Sequence, residues 1–403
     1  MPKPPSHLVG LDLGSSWTRC AVGVEDNGHL RCISYGAARS GGWRKGVIID
    51  QDPVVQSIEQ AVAEAEENAG ISIESAVVGV GATVASAVSR GAVNLASRAH
   101  PIDRADINEA VKAATRARLG DDRMLLQAVP LDFSVDGQDG IRNPLDMSGR
   151  RLEAQVRLIT ASTAAHMNLA TVVNRAGIVV EETMFEPFAA ALASIGEQER
   201  QIGVAVLDAG AGSADAIAYH EDGLRLAVSI PIGGSHFIKD VSFGLRASET
   251  DAERLIEEYG CAVAETTAEN SRIEVPSAGG SPDAPPAEVS RRKLNEILEA
   301  RAEELFVYLE KELDRAGLSG RLIAGLIITG EVAKLAGLAD LAEKVLHMDV
   351  RIGLPVPLAD LPEALDQPGW TTAVGLLLYA QRLRLHRRAE KESMTAWLKS
   401  IFG

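Results

Sequence analysis

The sequence predicts an α/β protein built from two similar lobes, and three features point that way. The chain has 403 residues, more than one ordinary core at about 150 residues per domain. Short apolar strand-like runs alternate along it with helical ones. One pattern also occurs twice. Asp12-Leu-Gly-Ser-Ser is followed by an apolar run and the turn Glu25-Asp-Asn-Gly28, and Asp208-Ala-Gly-Ala-Gly-Ser by an apolar run and the turn Glu221-Asp-Gly223. The offset from Asp to turn glycine is 16 in one copy and 15 in the other. A matched strand–glycine loop–strand start in each half suggests a duplicated domain.

The elements follow in order. His7–Asp12 and Cys20–Val24 read as strands around Gly14-Ser15-Ser16, with Asn27-Gly28 as a hairpin turn. Val54–Ala69 reads as a helix with Pro53 at its start, Ala76–Val80 as a buried strand, and Arg104–Arg118 as a helix capped by Asp103. Leu125–Val135 and Arg151–Ile159 read as strands, Ala164–Ala176 as a helix ended by Gly177, and Pro187–Ser194 as an Ala-rich helix. Gly203–Asp208 and Ala214–Tyr219 are the strands of the second copy. Residues 270–288, rich in Pro, Gly and Ser, read as a loop. Lys293–Ala316 is a long helix, Leu322–Thr329 a buried strand and Trp370–Leu383 a helix.

Composition narrows the function. Hydrophobic residues at 46% and charged ones at 24% allow real cores. Aromatics at 4% argue against a stacking platform for single-stranded nucleic acid or carbohydrate. A net charge of −16 argues against nucleic acid and against anionic lipid as partners of the body. Residues 381–403 are the exception: six Lys/Arg against two acids give +4, leaving −20 on the other 380 residues. Cys20, Cys32 and Cys261 are too few for a disulfide frame, which fits a reducing compartment. The eight His show no metal-binding spacing. Met1–Pro5 runs into a strand without the apolar stretch of a secretory signal, and no run of 18 apolar residues is present.

A glycine-serine loop between two strands points backbone N–H groups outward as an anion nest. An Asp at the end of the incoming strand then lies beside it. Two such hairpins face to face would grip a phosphate chain from both sides, and their two Asp would hold a hydrated Mg²⁺. One loop alone would be an ordinary tight turn; the pair is what suggests a site.

Asp12–Arg19, Glu186-Pro187, Asp208–Asp215 and Thr329-Gly330 resemble, in order, the phosphate-1, connect, phosphate-2 and adenosine motifs of the actin, heat-shock chaperone and sugar-kinase superfamily. Within it, Gly46–Asp50, Val135–Gly140 with Asn143-Pro144 and Met147–Gly149, Pro231–His236 and Glu257–Cys261 resemble the FtsA family of actin-like bacterial cell-division proteins. The resemblance covers nearly the whole chain. It implies a duplicated actin-like (ribonuclease H-like) fold. The expected subdomains are IA at 1–82 and 163–196, IC at 83–162, IIA at 197–243 and 321–386, and IIB at 244–320. A linker at 387–393 and a membrane-targeting helix at 394–403 would follow.

The resemblance also implies site residues. Asp12 and Asp208 would position Mg²⁺, and Glu186 would orient an attacking water. Gly14, Ser15, Ser16, Arg19, Gly210, Gly212 and Ser213 would line the phosphates of ATP. Gly233 and Gly234 would border the nucleotide, Glu253 would approach the ribose or base, and Gly330 would lie under the adenosine. The chain departs from the pattern at Ala211, Trp17, Ile256, Glu331 and Val332. Alanine at 211 costs about 1–2 kcal/mol if that position needs positive φ, and Glu331 would carry charge toward the base. Weak nucleotide binding and a weak or negligible ATPase are expected.

Met394, Trp397, Leu398, Ile401 and Phe402 recur at helical spacing as one apolar stripe, capped by Ser393 and preceded by Arg387, Arg388 and Lys391. This is the pattern of an interfacial anchor for anionic lipid, while docking on the chain's own body is the alternative. By resemblance, Arg291, Arg292, Glu296, Glu299 and Arg301 in IIB would receive the C-terminal peptide of FtsZ. The implied function is an ATP-binding protein that polymerises at the cytoplasmic face of the inner membrane. There it would tether FtsZ and recruit later divisome proteins at the division site. A pilus-assembly-type actin-like protein and a sugar- or acetate-type kinase are the alternatives on the same fold.

Overall fold

In the computed structural model the two repeated hairpins seed two five-stranded sheets of the same topology. The structure describes residues 7–402 except 27, 96–98, 117–118, 277–285, 357 and 359–360, and for 388–402 it describes the backbone alone. The first sheet runs Val179–Phe185, Ser75–Val80, Leu8–Leu13, Trp17–Asp26, His29–Arg39; the second runs Val350–Ile352, Leu326–Thr329, Val204–Ala209, Ala214–His220, Gly223–Ile230. In each, three antiparallel strands form one side and two parallel strands extend the other. The central strands are buried along their whole length, and apart from Asp12 and Asp208 near their ends they carry only apolar residues and glycine, as strands covered on both faces do. The duplication read from the two Asp-led loops is thus present in three dimensions.

Helices Glu186–Ser194 and Thr371–Phe402 pack against each other and against the sheets. Their close approach needs glycine: a Cβ on Gly375 would collide with the Ala189 carbonyl, and one on Gly10 would lie 2.6 Å from the Leu377 nitrogen. Residues 371–386 were expected with the second lobe, but Ala373, Val374, Leu376 and Leu377 complete the core of the first. Val204, Val206, Ile217 and Ile327 bring one face of the second sheet onto that same core. The opposite face of the second sheet has its own core with helix Arg291–Arg315.

Two insertions sit on this frame. Strands Ala85–Asn94, Arg123–Val135, Gln138–Ile141 and Arg151–Ser162, with helix Arg104–Thr115, enclose a core around Ile102, Phe133, Leu152 and Leu158. Asp103 caps that helix through a box with Asp106. The second insertion holds helices Glu249–Tyr259 and Arg291–Arg315. Part of the expected loop at 270–288 is the hairpin Arg272–Val275 with Ala287–Ser290, formed because Ile273 and Val275 alternate into the core.

The C-terminal helix is continuous from Thr371 to Phe402, so the backbone expected as a linker at 387–393 is helical. The side chains of Met394, Trp397, Leu398, Ile401 and Phe402 lie outside the described residues, as does Asn27 of the first expected turn. Among the described residues no helix is long and apolar enough to cross a membrane.

Candidate functional site: the cleft between the paired hairpins

The two hairpin loops meet across a cleft. Residues of the first lobe lining it include Asp12, Gly14, Ser15, Ser16, Arg19 and Glu186; those of the second include Asp208, Gly210, Gly212, Ser213 and Gly330. The loops are in near contact, since a Cβ on Gly212 would lie 2.6 Å from both the Gly46 nitrogen and Ser15 Oγ. Only a residue without a Cβ leaves room at 212 for that approach. Ala211 has no positive φ, so the strain expected there is absent. Gly330 does adopt φ +84°, and any side chain on it would press on Asp208 Oδ1 at 2.6 Å.

Each hairpin delivers its acid by register. Asp12 lies opposite Arg19 and Asp208 opposite Asp215 in corresponding places of the two sheets. Thr372 at the start of the C-terminal helix donates to Asp208 Oδ2 at 2.6 Å. Asp215 receives the Ala82 amide of the first lobe at 3.3 Å, Ser213 at 3.0 Å, and Ser229. Glu186 opens its helix, and its carboxylate comes against Gly81 close to where Asp215 Oδ2 also approaches.

The acids are buried together, and burial costs the ionised form most. It pushes Asp12 up to about 7; Arg19 opposes that rise, while Asp208 and Glu331 add to it. Glu186 is raised well above the usual carboxylate range by burial and then by Asp12, Asp215 and Asp208. Burial lifts Asp208 against the Thr372 hydrogen bond, and lifts Asp215 to about 6 against three hydrogen bonds. Such a cluster has one cation, Arg19, among the described lining residues. No three His, Cys, Asp or Glu among the described residues are grouped to hold a metal by themselves. Mg²⁺ keeps several waters and takes one or two carboxylates together with ligand phosphates, a demand that Asp12 and Asp208 beside the two loops could meet.

Other expected residues lie outside the lining. Gly233 and Gly234 start a helix behind the second loop, where the Gly234 and Ser235 amides donate to Gly210 and Ala211 carbonyls at 3.0 and 2.9 Å. Glu253, on helix Glu249–Tyr259, is bound by Arg39 of the first lobe at 2.7 Å, and Arg39 stacks on Trp17 at 4.4 Å. Glu331, expected to aim its charge at the base, turns instead to Arg19 and Lys334.

Of the expected peptide-binding residues, Arg291 donates to the Tyr259 carbonyl at 2.9 Å and Glu299 accepts from the Ala264 amide at 3.2 Å, so both brace the insertion internally. Arg292 bridges Glu269 and Glu296, and Arg301 holds Asp240 and Glu304. Glu296 and Arg301 share a shallow surface groove with Lys293, Ile297 and Ala300.

Sequence reasoning missed Asp215, Glu331 as a partner of Arg19, and Thr372. Asp215 could have been found from its place opposite Asp208 in a two-strand register; the other two join residues 312 and 164 positions apart.

Comparison with known proteins agrees with this architecture. The family model described as "Cell division protein FtsA" matches residues 205–375, and that described as "SHS2 domain inserted in FTSA" matches 81–160. The cell division protein FtsA of Pseudomonas aeruginosa is 36% identical over 390 residues, 96% of this chain and 91% of that protein. Among solved structures, the PilM–PilN type IV pilus biogenesis complex has TM-score 0.65 at 17% identity, covering 94% of this chain and 99% of that one. MreB5 of Spiroplasma citri bound to ADP has TM-score 0.56 at 12% identity, covering 95% and 98%. At such identities the structural likenesses speak for an actin-like fold alone, whereas the sequence match extends over nearly the whole chain: it belongs to the FtsA family of cell-division proteins.

Proposed function

We propose that this chain is an ATP-binding, actin-like cell-division protein that polymerises at the cytoplasmic face of the inner membrane. There it tethers FtsZ filaments and recruits later division proteins. The observation that carries the reading is the facing pair of register-matched hairpins, with Asp12 and Asp208 at equivalent strand ends and glycine loops between them. Ser15, Ser16, Gly210, Gly212 and Ser213 would line the phosphates. Asp12 and Asp208 would hold Mg²⁺ through its water shell, and the ion would neutralise phosphate charge among these acids. MreB5, with the same fold, is described bound to ADP. Glu186 would orient the attacking water, and burial among Asp12, Asp215 and Asp208 raises its carboxyl well above the usual carboxylate range.

The groove holding Glu296 and Arg301 would take the FtsZ peptide, whose acidic groups would exchange with Asp240 or Glu304 for the Arg301 fork. The C-terminal stripe, Met394 to Phe402, would lie in the anionic lipid surface beside the basic residues of 381–403. Reconstitution on a supported anionic bilayer tests the whole. ATP-dependent filaments that recruit FtsZ are expected, whereas a chain that stays in solution or ignores FtsZ would overturn the reading.

A further inference from the structure

Among the described residues lining the cleft, Arg19 is the only Lys or Arg, against five carboxylates: Asp12, Glu186, Asp208, Asp215 and Glu331. Arg19 is itself buried and committed. Its guanidinium forms an ion pair with Glu331 of the other lobe and lies 5.8 Å from the Trp17 ring centroid and 5.5 Å from that of Trp370. Gly369 packs on the pair, since a Cβ there would lie 3.0 Å from Arg19 Nη2 and collide with Glu331 Oε1. Backbone geometry aims the carboxylate. Gly330, at φ +84°, is tied to the Pro368 carbonyl at 3.0 Å, so the next residue projects into the cleft floor. Glu331 also has a second cation on its own lobe, Lys334 at 3.0 Å.

We infer that Glu331 is a resident anion that occupies the cleft's buried cation in place of a phosphate, clasping the lobes together and setting nucleotide affinity. The inference rests on the nucleotide reading of the cleft. A phosphate oxygen entering between the loops carries the charge that Arg19 needs and competes with Glu331 for it. The displaced Glu331 keeps Lys334 as partner, so the exchange leaves no carboxylate unpaired. Glu331 holds Arg19 across the cleft and Lys334 within the second lobe together, and a phosphate that takes Arg19 would leave it Lys334 alone.

The test uses the full chain, a fluorescent ATP analogue with Mg²⁺, and two variants. Glu331→Gln removes the competing charge and should tighten binding about tenfold; Glu331→Asp keeps the charge and should stay within about twofold of the parent. Hydrogen exchange without nucleotide is the second readout. Glu331→Gln should speed exchange in segments 12–19 and 329–334, reporting a released clasp. If the parent binds the analogue and Glu331→Gln binds it no more tightly, the competition is wrong. If exchange is unchanged, the clasp is wrong whatever the nucleotide does. If neither chain binds the analogue while exchange in the variant rises, the nucleotide reading fails and takes the competition with it, leaving only a cross-lobe pair.

Discussion

Arg19 and Glu331, 312 residues apart, pair across the floor of the cleft, so the two lobes are joined by charge at the point where their hairpins meet. Arg39 and Glu253 make a second such link nearer the surface. The cleft therefore closes on side chains of its own.

Removing the cation should expose the cost of its partners. Arg19→Gln strips Asp12 of its buried counter-charge and leaves Glu331 with Lys334 alone, and loss of one member of a buried pair costs about 3 kcal/mol. Urea unfolding should show a fall of this order. A change under about 0.5 kcal/mol would mean the pair carries little of the lobe contact.

Asp12 makes the opposite prediction. Its carboxyl is raised from 3.8 to about 7 by burial, so the native state holds a proton that the unfolded state has lost. Its ionisation lowers stability as pH rises from about 4 to 7, with no further loss above. Asp12→Asn should therefore stabilise the ligand-free chain at pH 8, by on the order of 1–3 kcal/mol, while abolishing Mg²⁺-dependent nucleotide binding. Urea midpoints and analogue titration on the same sample check both halves.

The same acids set the pH dependence of ligand binding. Carboxylates must be ionised to serve a cation, and burial pushes Asp12 up to about 7. Affinity for the Mg²⁺ nucleotide should rise between about pH 6 and 8 and then level off. Isothermal titration in buffers of different ionisation enthalpy should detect proton release on binding; a flat profile would mean these acids do not serve the ion.

At Gly375 the helix backbone rests on the Ala189 carbonyl. Gly375→Ala forces the two central helices apart and should cost about 3 kcal/mol, as overpacking of a filled core does. Thermal or urea unfolding measures it, and a near-neutral result would show that the interface slides freely.

How much of this was legible beforehand depended on whether the signal was local. The Asp12 and Asp208 loops announced themselves because strand, glycine loop and strand fall within 20 residues, and the repeated offset gave away the duplication. Asp103 could be named as a cap for the same reason. The place of the helix starting at Thr371 could not be read, because an apolar face does not name its partner, and the close approaches at Gly10 and Gly375 that seat it on the first lobe join distant parts of the chain. Nor could Glu331: a carboxylate after a glycine looks like a charge at the mouth of a pocket until Arg19, from the far end of the chain, is seen beside it. The apolar period at 394–402 was visible, but helical spacing does not reveal whether a linker breaks the helix, and the backbone runs through unbroken.

The most direct measurement is hydrogen exchange on the full chain with and without Mg²⁺ and ATP. A ligand gripped between the lobes should protect amides in both loops, 12–19 and 208–215, together. Protection in one loop alone, or in neither at saturating ATP, would contradict a nucleotide shared by the two hairpins.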